Sequence, residues 1–285
     1  MNNKIAIVTG ATSGFGLLTA LKLAGTHFVI ATARHPEKAE ALRNRIAELS
    51  IDSSIAVAEL DVTNEQSISS FTDELKRYGQ IDVLVNNAGT AYGGFAEELS
   101  LDDYRKQYET NVFGLMAVTK AVLPYMKKHG GAKIINLSSI SGRIAFPAFS
   151  AYASSKHAVE GFSESLRLEL RPFGIDVAVV QPGSYQTAIW ETSFAAQVTA
   201  PEAESRYSTY FERISAYIAA GRKHYGNPDD VADLICRLAV KKRLNRLRYP
   251  IGRGVRLLIL LHNALPWRIW EHAVIKNLFK KGYLK

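Results

Sequence analysis

Over its first 180 residues the chain alternates between two hydrophobic periods, and this alternation narrows the fold more than any other feature. Short β-branched runs fall at 5–9, 28–32, 55–59, 81–86, 133–137 and 175–180. Segments of helical spacing lie between them at 16–24, 36–49, 64–77, 101–128 and 152–173. Strands and helices in this order imply an α/β fold, a doubly wound parallel sheet with helices on both faces. The runs Ile5-Ala6-Ile7-Val8 and Val83-Leu84-Val85 are apolar on both faces, as central parallel strands are. No repeat, low-complexity tract or linker divides the 285 residues, so a single domain is expected.

Composition excludes several classes. Apolar residues make up 47% and charged residues 22%, which is ordinary for a globular chain and unlike a disordered one. The one cysteine, Cys236, forbids an intramolecular disulfide framework and suits a reducing compartment. The first residues show no secretory layout, and the longest uncharged apolar stretch, 257–267, is about half of a membrane span. A cytoplasmic protein is the expectation. The seven histidines form no ligand cluster in the sequence, and no metal is expected.

The net charge of +8 is unevenly spread. Residues 241–285 hold twelve Lys/Arg and one acid, Glu271, whereas the other 240 residues carry 23 Lys/Arg against 26 Asp/Glu. A slightly acidic body argues against nucleic acid as a partner. In the tail, Val255–Trp267 and the apolar residues after it interleave with Arg256, Arg268, Lys276, Lys280 and Lys281. Three readings stand: the tail packs on the body or a sister subunit, caps a pocket, or makes peripheral membrane contact.

The alternation breaks at 184–227, where 44 residues replace the usual short connection. Eight aromatics lie there, and Tyr207, Phe211, Ile214 and Ile218 form the stripe of an amphipathic helix. The segment is either an added structural helix or an apolar lid over the carboxyl ends of the strands, where open α/β sheets bind ligands.

The first strand runs into Thr9-Gly10-Ala11-Thr12-Ser13-Gly14-Phe15-Gly16 and then a helix. Gly10 permits the tight turn, Gly14 lets backbone approach a pyrophosphate, and Gly16 allows close helix–strand packing. At the end of the second strand, NAD-selective sites place an acid to meet the ribose hydroxyl; here Ala33 stands there with Arg34 beside it. A guanidinium grips a 2′-phosphate that a carboxylate repels, so NADP(H) is expected over NAD(H), unless Arg34 is only a solvated loop charge. Further on, Tyr152 and Lys156 stand four apart on one helix face, thirteen residues beyond Ser139. A nearby ammonium favours a phenolate, which makes Tyr152 a candidate proton donor to a carbonyl or acceptor from an alcohol.

Together these segments resemble the short-chain dehydrogenase/reductase family. The resemblance runs from Lys4 to about Gly183 and rests on Thr9-Gly10…Gly14-x-Gly16, Asp61-Val62, Asn86-Asn87-Ala88-Gly89, Asn111, Ser139, Tyr152…Lys156 and Pro182-Gly183…Thr187. It implies a Rossmann-type domain with Tyr152 as acid/base and Ser139 on the substrate oxygen. Lys156 would bind the nicotinamide ribose and lower the Tyr152 pKa, and Asn111 would hold a water in a proton relay. For the cofactor it implies the turn Gly10, Thr12, Ser13, Gly14, Phe15 and Gly16, then Asp61 and Val62 at the adenine. Asn87, Ala88 and Gly89 would line the adenosine ribose side, and Pro182, Gly183 and Thr187 the carboxamide side. Asn111 otherwise reads as a polar residue bending its own helix, and Asp61 as a cap for the helix at Asn64.

Tyr92, Phe95, Phe146, Phe149, Tyr185, Ile189 and Trp190 supply mostly apolar side chains near the site. Of these, Phe146, Phe149, Tyr185 and Trp190, with Ser139, are the candidate substrate contacts. The pattern from Ala31 to Arg34 and over 143–149 looks most like the 17-beta-hydroxysteroid and retinol dehydrogenase branch, which implies a bulky apolar alcohol or ketone. The family implies a homo-oligomer through the helices at 101–128 and 152–173. Two other classes stay open: a non-catalytic NADP sensor, and a membrane-surface scaffold built on the tail.

Overall fold

A computed structural model describes residues 4–128, 130–186 and 205–279. Seven strands form one sheet: β1 (Ile5–Val8), β2 (Phe28–Ala33), β3 (Ile55–Glu59), β4 (Val83–Asn86), β5 (Lys133–Leu137), β6 (Asp176–Pro182) and β7 (Arg248–Ile251). Every pairing is parallel and the order is β3-β2-β1-β4-β5-β6-β7. The chain reverses direction across the sheet between β1 and β4, which opens a crevice at their carboxyl ends.

Alternate residues of each strand feed opposite faces, as the strand period requires. Ala6, Val8, Val83 and Val85 point to the side covered by α1 (Gly14–Leu23), α2 (Glu40–Glu48) and a later helix at Pro228–Val240. Ile7, Leu84, Ile134 and Val177 point to the side covered by α3 (Glu65–Leu75), α5 (Leu115–Met126) and α6 (Ser150–Leu170). Both sets are almost fully buried, so the doubly apolar strands read in the sequence are central strands.

The helices depart from the expected spans at two places. The segment at 36–49 is a 3-10 turn, Pro36–Lys38, followed by α2. The expected helix at 101–128 is α4 (Leu101–Tyr108) and α5 joined by a π-helical stretch, Glu109–Gly114. The wide turn has a packing reason: a Cβ on Gly114 would lie 2.7 Å from the backbone oxygen of Val62.

Beyond β6 come α7 (Ser208–Gly221), α8 (Pro228–Val240), α9 (Val255–Ala264) and α10 (Trp267–Phe279). The sequence reading assigned 241–285 as an extension, but its first part completes the sheet. β7 was missed because Arg-Tyr-Pro-Ile is short, contains Pro250 and is only half-buried, all marks of an edge strand. It is anchored through side chains: Arg248 Nε donates to Glu160 at 2.9 Å and Nη2 to Glu164 at 2.7 Å. Asp176 holds the approach by accepting from the Leu244 N–H at 2.8 Å, and Arg167 donates to the Leu244 and Arg246 carbonyls. Among the described residues no helix is long and apolar enough to cross a membrane.

Candidate active site

The turn after β1 is built by local chemistry and one long-range clamp. Gly10 and Gly14 take φ of 63° and 53°, the left-handed region that glycine enters without strain. A Cβ on Gly10 would meet Ala88 Cα at 2.9 Å, and one on Gly16 would meet the Gly10 oxygen at 2.3 Å, so neither site admits a side chain. The Thr9 hydroxyl accepts from the Asn87 and Ala88 N–H groups, both at 2.9 Å, while Asn87 Nδ2 donates to the Thr9 and Gly10 carbonyls. Asn87 therefore fastens the β4 loop to the glycine turn. Asn86 lies behind it, donating to Thr119 and Asn136 in a buried polar network.

A cleft of about 1810 Å³ opens at this end of the sheet. Gly10, Thr12, Ser13, Gly14, Phe15, Arg34, Asp61, Val62, Asn87, Ala88 and Gly89 line one arm. Ser139, Phe146, Phe149, Tyr152, Lys156, Pro182, Gly183 and Tyr185 line the other. Of the expected cofactor residues, Gly16 packs beneath the turn and does not face the cleft, as its packing role requires. Thr187, Ile189 and Trp190 lie outside the described residues. Ala33 is buried and Arg34 exposed at the rim. Asp61 accepts from the N–H and hydroxyl of Thr63 at 2.9 and 2.7 Å, whereas the cap of α3 is Asn64, which accepts from the Ser67 N–H at 2.9 Å. The alternative reading of Asp61 as a helix cap is thus incorrect.

Ser139 lies two residues beyond β5, and its hydroxyl accepts from the Ser141 N–H at 3.1 Å. The Tyr152 side chain shares the cleft wall with it. One turn along α6, the Lys156 ammonium stands 5.7 Å from the Tyr152 ring centre and donates to the Leu137 carbonyl at 2.8 Å. Burial pushes the Lys156 ammonium down to about 8, opposed by the charge of Glu160. Burial also pushes the Tyr152 phenol upward, opposed in part by the Ser139 side chain. The expected lowering of Tyr152 by Lys156 is not what the side chains alone produce. Desolvation, which disfavours the phenolate, is the largest cause of the Tyr152 shift.

Asn111 sits within the π-helical stretch, nearly fully buried. Its Nδ2 donates to the Thr90 carbonyl at 3.0 Å and to Ser155 Oγ at 3.3 Å, and its Oδ1 accepts from the Thr90 N–H at 2.8 Å. Ser155 is on α6 beside Lys156, so Asn111 ties the π turn to the helix of the tyrosine–lysine pair.

Other residues were not foreseen. Ser138 lines the cleft with a buried hydroxyl that has no protein partner. Val255 and Leu258 of α9, Leu278 of α10 and Ile214, Tyr217 and Ile218 of α7 close the apolar arm. The α7 stripe was legible, but its neighbours were not: Ile214 packs on Phe95, Leu278 and Phe279, and Phe95 stacks on Tyr207 at 4.2 Å. Phe95 therefore supports the wall and does not line it. Tyr185 is a buried wall residue, edge-on to Phe15 at 5.6 Å, with its phenol pushed up to about 12 by burial.

Sheet, glycine turn and cleft define a Rossmann-type nucleotide-binding protein with a serine, tyrosine and lysine gathered beside the nucleotide arm. The profile of the short chain dehydrogenase family matches residues 4–198. The chain is 56% identical to an uncharacterized oxidoreductase, YusZ, of Bacillus subtilis strain 168, over 98% of this chain and all of that one. It is 35% identical to a 3-ketodihydrosphingosine reductase of Bacteroides thetaiotaomicron, over 96% and 97% of the two chains, and 34% identical to human retinol dehydrogenase 8, over 84% and 79%. Among solved structures, a short-chain dehydrogenase from Streptomyces avermitilis superposes with a TM-score of 0.80 at 32% identity over 98% of both chains. ElxO with NADP bound superposes at 0.75 (28% identity, 90% and 99% covered), and a Burkholderia phymatum enzyme in complex with NAD at 0.77 (25% identity, 92% and 93% covered). The chain belongs to the short-chain dehydrogenase/reductase family of oxidoreductases, and its relatives include the retinol dehydrogenase branch.

Proposed function

We propose that the protein is an NADP(H)-dependent reductase of apolar ketones, or dehydrogenase of the matching secondary alcohols, with Tyr152 as the acid/base. The observation that carries this reading is the gathering of Ser139, Tyr152 and Lys156 on one wall of the cleft, with the Lys156 ammonium 5.7 Å from the Tyr152 ring centre and apolar side chains around them. A phenol whose protonated form is favoured by burial suits proton donation to a carbonyl oxygen. Ser139 would share that oxygen's developing charge, Lys156 would hold ribose hydroxyls and the charge beside the phenol, and Asn111 would anchor the relay through Thr90 and Ser155. NADP(H), when bound, supplies or accepts the hydride.

The glycine cradle, which a Cβ would fill, fits a dinucleotide pyrophosphate at Gly10–Gly16, and the paired Ala33 and Arg34 fit a 2′-phosphate. Arg34→Ala should weaken NADPH by about tenfold or more while leaving NADH nearly unchanged, because one charge-assisted contact is worth about 1.5–3 kcal/mol. Equal losses for both nucleotides would remove the assignment. Relatives named for a 3-keto compound and for retinol support a carbonyl or alcohol substrate of apolar character. In this reading 184–227 is a substrate lid, with α7 as its inner wall. Exposed Leu101, Phe113, Leu168 and Phe173 lie on or beside α4–α6, the elements through which a homo-oligomer would form. The half-buried Cys236 thiol, pushed up to about 11 mainly by desolvation, is poorly reactive.

A panel of ketones of graded chain length, followed by NADPH absorbance, tests the proposal. Turnover that increases with apolar bulk is expected. Tight NADPH binding with no turnover on any ketone or alcohol would favour the sensor reading instead.

A further inference from the structure

Five of the twelve large apolar side chains that stand exposed among the described residues fall within one short corner of the chain. Leu257, Leu260 and Leu261 lie on α9, and Trp267 and Ile269 begin α10. Helical spacing puts Leu257, Leu260 and Leu261 on one face of α9 and Val255, Leu258 and Ile259 on the opposite one. The inner face is accounted for: Val255 and Ile259 pack with Ile144 and Trp270. The outer face carries Leu257, Leu260 and Leu261, which no described residue covers. A helix with leucines on its outer as well as its inner side, bordered by arginine, suits a boundary between core and lipid headgroups.

We infer that this corner docks on an anionic lipid membrane. Trp267 is 65% exposed beside exposed Arg268, and exposed Arg253 and Arg256 flank the leucines, the combination of aromatic, leucine and arginine that suits a headgroup boundary. On and beside the two helices of the corner, Arg253, Arg256, Arg268 and Lys276 stand exposed against one exposed acid, Glu271, so its charge is positive. That charge disfavours a second copy as the occupant, since a symmetric contact would set two such corners against each other, whereas an anionic bilayer neutralises them. The position also has a consequence. Arg253 is on the cleft rim and Val255 and Leu258 on its wall, so α9 separates the docked surface from the apolar arm by one helix. Delivery of an apolar substrate from the bilayer rests on the function proposed above; adsorption itself does not.

Flotation of the full-length protein, without cofactor or substrate, with vesicles of equal parts phosphatidylcholine and phosphatidylglycerol tests the inference at low salt. Binding at least about tenfold above pure phosphatidylcholine vesicles is expected. The exposed-face variant Leu257→Ser/Leu260→Ser/Trp267→Ser should lose about tenfold while keeping the wild-type melting temperature and NADPH affinity. Arg256→Gln/Arg268→Gln should show a weaker loss that high salt erases. Full-length protein that ignores the anionic vesicles overturns the inference. So does vesicle binding unchanged in both variants. A salt-independent dimer that the serine variant dissociates, with no vesicle binding, assigns the face to a second copy instead. Because no turnover is read, a failed ketone screen leaves the result intact, and a failed flotation leaves the enzymatic reading intact.

Discussion

Tyr152 and Lys156 are driven in opposite directions by the same cause: burial favours the neutral form of each, raising the phenol and lowering the ammonium. Tyr152→Phe keeps the ring and removes the proton handle, so kcat should fall by at least about a hundredfold with NADPH affinity nearly intact, as general acid catalysis supplies about two to four decades. Retention of a tenth of wild-type kcat would remove the acid/base assignment. Lys156 makes a separate prediction for stability. Its folded value of about 8 lies below the ordinary 10.5, so between these pH values the unfolded chain binds more protons and stability rises with pH. Below pH 8 the cost of the buried charge is complete. Denaturation of the cofactor-free protein should therefore show wild type gaining on Lys156→Met by on the order of 3 kcal/mol from pH 8 to 10.5. A constant difference would mean that the lysine is not desolvated. Both residues were legible, because four-residue spacing on a helix is a local property. The direction of the Tyr152 shift was not, since it depends on what β5 and the surrounding walls exclude.

At the scale of elements, β7 shows how a short edge strand is held by groups far away in sequence. Glu160, buried on α6, accepts from Gln181 of β6 at 2.9 Å and from Arg248 of β7 at 2.9 Å, so one carboxylate joins a helix and two strands. Removing the cation leaves a buried charge without its counter-ion. Arg248→Met should cost about 3 kcal/mol in urea denaturation, and Glu160→Gln in the same background should restore part of it. A loss below about 1 kcal/mol would show the pair to be peripheral. None of this was visible in Arg-Tyr-Pro-Ile, whose strand character comes from pairing with β6 rather than from its own pattern. The π-helical stretch was hidden because its sequence keeps helical spacing, and the close approach of Gly114 to Val62 is a tertiary contact.

For the whole molecule, the carboxyl-terminal helices add apolar wall to the cleft at the carboxyl ends of the strands through Val255, Leu258 and Leu278. Trp270, 8% exposed, packs with Ile144, Val255 and Ile259 and meets His262 edge-on at 4.9 Å. Trp270→Ala should cost about 3 kcal/mol or more through the cavity it leaves. It should raise KM for apolar ketones well above any change in NADPH affinity, because α9 and α10 wall the substrate arm alone. Parallel losses of both affinities would instead indicate global loosening. The order of strands and helices, the glycine turn, and the identities of Ser139, Tyr152 and Lys156 were determined by the sequence itself, because period, turn chemistry and helical spacing act over a few residues. Which way the tail faced was left open by it, since α9 offers an apolar side in both directions. Only the tertiary structure decided that Val255 and Ile259 turn inward, because Ile144 and Trp270 complete a core there, and that Leu257, Leu260 and Leu261 consequently face out.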